Sequence, residues 1–191
     1  ADQEGIAMTQ ATINKGRRQS TAYCYLDPAR SRPNLKIQTG AMGESLILER
    51  KTCVGIRYSV NGEAREARAT REVVISSGSI NSPKLLELSG IGQSEFLREH
   101  GIEPLHELPG VGENLRDHYS PRMKYSITEK DATFNERGNG MRLVGEAMKY
   151  VLGGKSFLAL SAVPLRMYFR TREGLETPDA TISVMPFLTE R

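Results

Sequence analysis

Ser77-Gly78-Ser79-Ile80-Asn81-Ser82-Pro83-Lys84-Leu85-Leu86-Glu87-Leu88-Ser89-Gly90-Ile91-Gly92 is the stretch that decides the fold. Before it stands Glu72-Val73-Val74-Ile75-Ser76, a short continuous apolar run of the kind that forms a buried strand of a parallel sheet. Gly78 follows as a turn. Ser82 and Pro83 make a helix start, because a serine hydroxyl caps free N–H groups and proline has no N–H to lose at the first helical position. The expected helix begins at Ser82 or Pro83, runs through Leu88 and stops in Ser89-Gly90-Ile91-Gly92. A strand, a glycine turn and a helix in this order belong to an α/β architecture. The glycine lets backbone approach a bound group where a Cβ would collide. The helix start presents N–H groups and a positive dipole end to a phosphate or another polar group. Open α/β sheets bind ligands at the carboxyl ends of their strands.

Upstream, Leu35, Ile37 and Thr39 alternate with Lys36 and Gln38, which is strand period. Leu46-Ile47-Leu48 and Val54 to Tyr58 read as two more strands. Asn61-Gly62 is a hairpin turn signal, because both residues tolerate positive φ. A strand returns through Ala64 to Ala69, so residues 35–77 are expected to form an antiparallel meander leading into a strand that ends at Gly78. Residues 1–20 are polar, with Gly5 and Gly16 as breakers; Ser20 to Ala29 reads as a short helix capped by Ser20. Downstream, Ser94 to His100 reads as a helix closed by Gly101, and Pro109 to Gly112 as a loop. Met123, Tyr125 and Ile127 alternate with polar residues as a strand would, and Asn135 to Gly140 reads as a loop. Met141 to Leu152 has apolar residues at helical spacing. Leu165 to Arg170 and Ala180 to Met185 read as strands of a second sheet. A boundary near residue 119 divides the chain into expected domains 1–118 and 119–191. The fold class is α/β, with α+β character from the meander.

Composition excludes several function classes. With 191 residues, 38% hydrophobic and 26% charged, the chain belongs among globular proteins rather than disordered ones. A net charge of +3 is too small to argue for a nucleic-acid partner. Cys24 and Cys53 read as free thiols of a reducing compartment. No apolar run reaches the length of a membrane span and no secretory signal opens the chain, so a cytoplasmic location is expected. The start lacks Met and reads as a boundary or a processed end. No His/Cys spacing suggests a metal. Ser89 and Ser161 lack the Gly-x-Ser-x-Gly setting of a nucleophile. Of the three histidines, His100 ends a short helix, His106 lies in a polar loop, and His118 reads as a hydrogen-bonded junction. None is read as catalytic.

The Ser77–Gly92 segment resembles the second signature of the glucose-methanol-choline (GMC) family of flavin-dependent oxidoreductases. Pro109-Gly110-Val111-Gly112-Glu113-Asn114-Leu115-Arg116-Asp117-His118 resembles the family's next block. Gly16-Arg17-Arg18-Gln19-Ser20-Thr21-Ala22, Tyr25-Leu26-Asp27-Pro28-Ala29, Phe169-Arg170-Thr171 and Pro178-Asp179 stand in the family's order. Arg32 to Ala41 resembles the strand that precedes the flavin adenine site. The resemblance covers nearly the whole chain and is closest to the choline dehydrogenase and alcohol dehydrogenase branch.

The resemblance implies FAD in a doubly wound domain and oxidation of a small-molecule alcohol by hydride transfer. It implies a partial FAD-binding domain in 1–118 and the start of a substrate-binding domain in 119–191. Cofactor contacts carry over to Gly43, which would offer backbone hydrogen bonds to adenine where relatives often have Val, and to Ser77, Gly78 and Asn81. The Gly-x-Gly-x-x-Gly turn for the ADP half and the carboxyl-terminal catalytic histidine are not found in these residues. The chain thus looks like the middle of an enzyme more than twice as long, inactive alone and retaining no FAD. Stripped of neighbours, it is expected to self-associate through residues 73–77 and 85–88. The competing reading is a free-standing binding or regulatory module that kept part of the fold. A nucleotide-binding domain using NAD is disfavoured by the missing glycine fingerprint.

Overall fold

Asn61 and Gly62, both at positive φ (52° and 83°), turn the chain back on itself with the twist that a two-residue hairpin needs. The structure, a computed structural model, describes residues 2–188. In chain order its elements are β1 (Gly5–Met8), β2 (Ile13–Asn14), β3 (Arg17–Arg18), a π-helical turn (Ala22–Leu26) running into α1 (Asp27–Ala29), β4 (Ala41–Glu49), β5 (Thr52–Val60) and β6 (Glu63–Arg68). Then come α2 (Gly78–Leu88), β7 (Ile91–Gly92), α3 (Ser94–Glu99), β8 (His106–Glu107), α4 (Phe134–Arg137), α5 (Gly140–Val151), a 3₁₀ turn (Phe157–Ala159), β9 (Leu165–Phe169) and β10 (Ala180–Val184). The contacts divide the chain into one unit of residues 36–120 and another of residues 1–35 with 121–191.

In the first unit β4, β5 and β6 form an antiparallel meander in that order. Two bulges, at Glu44 and Val54, interrupt the β4–β5 register; such an extra residue increases the local twist. Leu46 and Ile47 of β4 are buried, and α2 packs on this strand through Leu85. The joint is polar as well. The buried Ser89 hydroxyl donates to the Leu85 carbonyl at 2.5 Å and accepts from the Leu46 N–H at 2.8 Å. After α2 the chain forms β7, which pairs in parallel with β8. The α3 helix lies between them, with Leu97 fully buried. Glu107 of β8 accepts from the Ser94 N–H at 2.9 Å and so caps α3.

The second unit has β9 as the centre of a three-stranded antiparallel sheet, flanked by β1 and β10. The register puts Ile6, Met167 and Ile182 in one row and Met8, Leu165 and Val184 in the next, on the same face. Phe169 and Ala180 pair on that face too. The opposite face carries Gly5, Ala7, Arg166, Tyr168, Thr181 and Ser183. Arg170, just past β9, bonds the carboxylates of Asp2 and Glu4 and the carbonyls of Leu175 and Glu176. It thereby ties the entry to β1 to the exit of β9. Asp179 accepts from the Thr171 N–H and hydroxyl at 2.8 and 2.7 Å and closes the loop between β9 and β10. Below α5, Glu146 accepts from Lys149 Nζ (2.9 Å), Ser156 Oγ (2.7 Å) and the Phe157 N–H (3.3 Å). Phe157 stacks on Phe134 at 5.1 Å between centroids.

Much of the sequence reading stands: the meander with its Asn61-Gly62 turn, the helix over Ser20 to Ala29, the helices at 94–99 and 140–151, and strands at 165–169 and 180–184. The Ser20 hydroxyl accepts from the Tyr23 N–H at 3.2 Å, as its capping role requires. Four expectations are corrected. Residues 35–39 and 72–77 form no strand, and neither does 122–127. Alternation or an apolar run qualifies a segment for a strand, but a neighbour must supply the hydrogen bonds, and among the described residues none does. Val74 is 75% exposed and Tyr125 79%, which follows from the missing pairing. The helix of the motif begins at Gly78, four residues before Ser82. Ser82 is not its cap; its hydroxyl accepts from the Ser77 N–H at 3.0 Å, pulling the incoming chain onto the first turn, so Pro83 lies inside the helix. Residues 134–137 are helical rather than a loop, because Thr133 caps them, its hydroxyl accepting from the Glu136 N–H at 3.3 Å and donating to Glu136 Oε2 at 3.3 Å. Residues 5–8, read as polar chain, form a strand by pairing with β9 far along the sequence. For the same reason the first 35 residues are bonded to the carboxyl-terminal part rather than to residues 36–118.

Two outcomes follow for stability. Ser89→Ala removes both bonds of the buried hydroxyl and leaves the Leu46 N–H without a partner; a loss of about 1–3 kcal/mol is expected in urea unfolding. The Glu146 carboxyl is pulled from its ordinary 4.5 down to about 2 by the hydrogen bonds of Lys149, Ser156 and the Phe157 N–H. A carboxylate depressed in the folded state contributes stability that is complete above its unfolded pKa and lost as pH falls through the folded one. The urea midpoint of the native chain should therefore fall between pH 4.5 and 2 more steeply than that of Glu146→Gln.

Candidate functional site

The first turn of α2 has no side-chain cap. Ser77 enters at φ −84° and ψ 4°, and its side chain makes no capping bond. Gly78 follows at φ +89°, a conformation that costs a residue with a Cβ roughly 1–2 kcal/mol. A Cβ built at Gly78 meets nothing within 4 Å, so within this chain the conformation, and not crowding, requires glycine. Asn81 is exposed, and its carboxamide makes no hydrogen bond among the described residues. The N–H groups of this turn point out of the helix with the positive end of its dipole.

Gly43 lies in β4 immediately before the bulged Glu44, opposite Tyr58. A Cβ there would stand 3.3 Å from Ile56 Cδ1 and 3.9 Å from Leu85 Cδ1. Glycine at this position lets α2 and the side chain of β5 close over the strand. Since β4 pairs only with β5, the outer backbone edge of β4 is free of strand pairing, and Ser89 takes its N–H at Leu46.

Two contacts set the direction of the helix relative to the strand. Gly43 is beside Leu85 and Leu46 is bonded to Ser89, so strand and helix run the same way. Gly78 is two turns before Leu85, about 10 Å along the axis. The opening of α2 therefore lies toward the start of β4. The structure places Ser77, Gly78 and Asn81 together on the first turn of the helix, and Gly43 further along the same helix–strand pair. Two clefts lie in the other unit, one along Val144, Met148 and Val151 of α5 and one between Met8 and Leu160.

The second motif block is anchored to the same helices. Val111 is buried. The Gln93 carboxamide donates to Glu113 Oε1 at 2.8 Å and to the Pro109 carbonyl at 3.4 Å. Gly112 faces the Glu87 carboxylate of α2 at a distance that leaves no space for a Cβ. The sequence motifs at 77–92 and 109–118 are thus adjacent in space, which spacing along the chain did not reveal. His100 Nδ1 lies 2.9 Å from the Phe96 carbonyl with its ring on Phe96, and His106 sits in β8. His118 is exposed, its N–H donating to Asp117 Oδ1 at 2.7 Å. No cluster of His, Cys, Asp and Glu fit to hold a metal occurs among the described residues.

Comparison with known proteins bears on this geometry. Residues 1–120 match the family model described as GMC oxidoreductase. An oxygen-dependent choline dehydrogenase of Chromohalobacter salexigens is 48% identical over 128 residues, which is 66% of this chain and 23% of that protein. The oxygen-dependent choline dehydrogenase of Brucella canis is 36% identical over 187 residues, 96% of this chain and 33% of that one. An FAD-dependent oxidoreductase from Chaetomium thermophilum superposes with a TM-score of 0.75 at 21% identity, over 86% of this chain and 30% of its own; that likeness is one of fold. The chain spans a third or less of the length of these relatives.

Substituting alanine for Gly78 is expected to destabilise the isolated chain by about 1–2 kcal/mol through the positive φ alone. Ser79→Ala, at a position of ordinary helical backbone, should change it by less than about 0.5 kcal/mol. Urea unfolding of the two variants compares them directly.

Proposed function

The chain belongs to the GMC oxidoreductase family, and on that premise we propose that it is the inner part of an FAD-dependent oxidoreductase acting on CH–OH groups. The choline dehydrogenase relatives support a small alcohol, choline or a similar one, as the substrate of the whole protein. The observation that carries the reading is the pairing of a glycine-opened, uncapped helix start with an unpaired strand edge in one rigid helix–strand unit.

These residues fit part of the cofactor. The outer edge of β4, free of strand pairing among the described residues, suits a planar heterocycle such as adenine near Gly43. The first turn of α2 offers N–H groups to an anionic or strongly polar portion, with open space at Gly78 where a side chain would otherwise stand. Asn81 adds an unengaged carboxamide. Bound FAD would supply the hydride acceptor for oxidation of the alcohol. The protein's part, in this chain, is to bind and orient.

In this reading residues 36–118 contribute to the FAD-binding domain. Residues from 119 onward begin the substrate-binding domain, to whose sheet β1 is bonded. The groups that take the alcohol proton are assigned to segments beyond this chain, since His100, His106 and His118 are held in structural or isolated positions. Cys24 and Cys53 form no disulfide, which suits a reducing, cytoplasmic setting. No described helix is long and apolar enough to cross a membrane.

The 191-residue chain, purified alone, is expected to carry no flavin absorbance and to oxidise no choline with a dye acceptor. One equivalent of bound FAD would overturn the idea that its binding surface is partial.

A further inference from the structure

Two arginines at the sheet β1–β9–β10 stand in opposite circumstances. Arg170 is bonded to Asp2, Glu4 and two carbonyls. Arg166, in β9 and half-buried, takes part in no ion pair among the described residues. Its Nε is buried without a hydrogen-bond partner, and a guanidinium N–H removed from water without an acceptor is costly. The other buried side-chain atom without a partner among the described residues is Thr9 Oγ1. The two are neighbours. Ala7 pairs with Arg166 and Met8 with Leu165, and the Thr9 N–H continues the ladder by donating to the Pro164 carbonyl at 2.9 Å. Strand alternation puts Thr9 on the face of Arg166, one diagonal step away, a distance that a long side chain spans.

The same face carries the hydroxyls of Tyr168, Thr181 and Ser183, with Ser183 opposite Arg166 and Thr181 opposite Tyr168. On the other flank Ala7 and Gly5 project little, and a Cβ at Gly5 would meet nothing within 4 Å. The three strands contain no Asp or Glu. The carboxylates near their ends are engaged, Asp2 and Glu4 by Arg170 and Asp179 by Thr171. A cleft of about 210 Å³ adjoins the end of β1, lined by Thr9, Ser161 and Pro164 among apolar residues. That is far more than the roughly 10–15 Å³ that one water needs.

We propose that Arg166 and Thr9 bind the carboxylate of a small organic acid. The guanidinium fork matches the two oxygens of a carboxylate, and the bonds it makes are charge-assisted. The Thr9 hydroxyl donates to the same group. One arginine balances the single negative charge of a carboxylate, whereas a phosphate monoester carries nearly two at neutral pH. The apolar remainder of the acid fits the cleft beside Met8 and Leu160. All of these residues belong to one unit of the chain, so the site stands or falls apart from the FAD reading.

The test is an NMR titration of the isotope-labelled 191-residue chain with sodium acetate at neutral pH, followed at the Arg166 Nε–H resonance. Acetamide and sodium chloride serve as the neutral and the ionic control. Acetate should shift that resonance saturably at millimolar concentration, and the controls should not. Arg166→Gln should weaken acetate binding, read from the backbone resonances of Thr9 and Ser183, about tenfold or more, and Thr9→Val about two- to tenfold. Arg18→Gln, which removes a cation of β3, should stay within about twofold. Arg166 has no partner to lose, so Arg166→Gln should unfold at no lower urea concentration than the native chain. Acetate should raise the urea midpoint of the native chain and leave that of the variant unchanged. A shift without saturation, an equal response to acetamide or chloride, binding indifferent to Arg166→Gln, or a lower midpoint for that variant would overturn the proposal. So would self-association in sedimentation that Arg166→Gln abolishes, since that outcome assigns the carboxylate to a second copy of the chain.

Discussion

The hydroxyl of Ser89 holds the first unit together. Placed at the end of α2, it is buried with Leu85 and Leu46 and bonds one backbone group of each element. A strand edge carries unpaired N–H groups that are costly to bury. By satisfying the one at Leu46, Ser89 lets an apolar helix cover β4 at that point without an orphaned donor. The direction of α2 follows from this joint, and so does the position of its amino-terminal turn near the start of the strand. The carbonyl of Gly90, the next residue, then accepts from the Leu105 and His106 N–H groups, which brings in β8 and the loop that follows. The two blocks that resemble the family's signatures meet because of this chain of bonds.

The same need for backbone partners explains what is missing from the sheets. Residues 35–39 and 72–77 have strand-forming sequences and remain unpaired. Their alternation and their β-branched residues state a preference; the bonds that turn preference into a strand come from other chain segments. In an open parallel sheet those segments are distant in sequence, joined by crossovers of a dozen residues or more. The antiparallel meander at 41–68 suffers no such dependence, because each strand finds its partner across a two-residue turn.

Of the candidate site, the sequence reading puts Ser77 and Gly78 in a turn ahead of a helix expected to start at Ser82 or Pro83, whereas the structure places Ser77, Gly78 and Asn81 together at the start of that helix. It moves that start from Ser82 to Gly78 because the Ser82 hydroxyl reaches back to the Ser77 N–H instead of capping its own turn. Gly43 was marked only through family resemblance. The structure adds a physical reason for glycine at that position, the closeness of Ile56 and Leu85, which pattern reading could not see. The Thr133 cap of the helix at 134–137 is legible in principle, since its spacing to Glu136 is local; the surrounding glycines and polar residues hide it.

By itself, the sequence determined the hairpin at Asn61-Gly62, the amphipathic helix at 140–151, the existence of a helix in the motif and the family likeness that ties its blocks together. These depend on contacts within a turn or two, where side-chain spacing and φ preference are decisive. Only the tertiary structure decided that residues 5–8 join β9, that Ser89 bridges Leu46 and Leu85, and that residues 73–76 go unpaired. Each of those outcomes depends on which backbone groups meet across long stretches of chain, and hydrogen-bond partners at that range are set by packing rather than by local pattern.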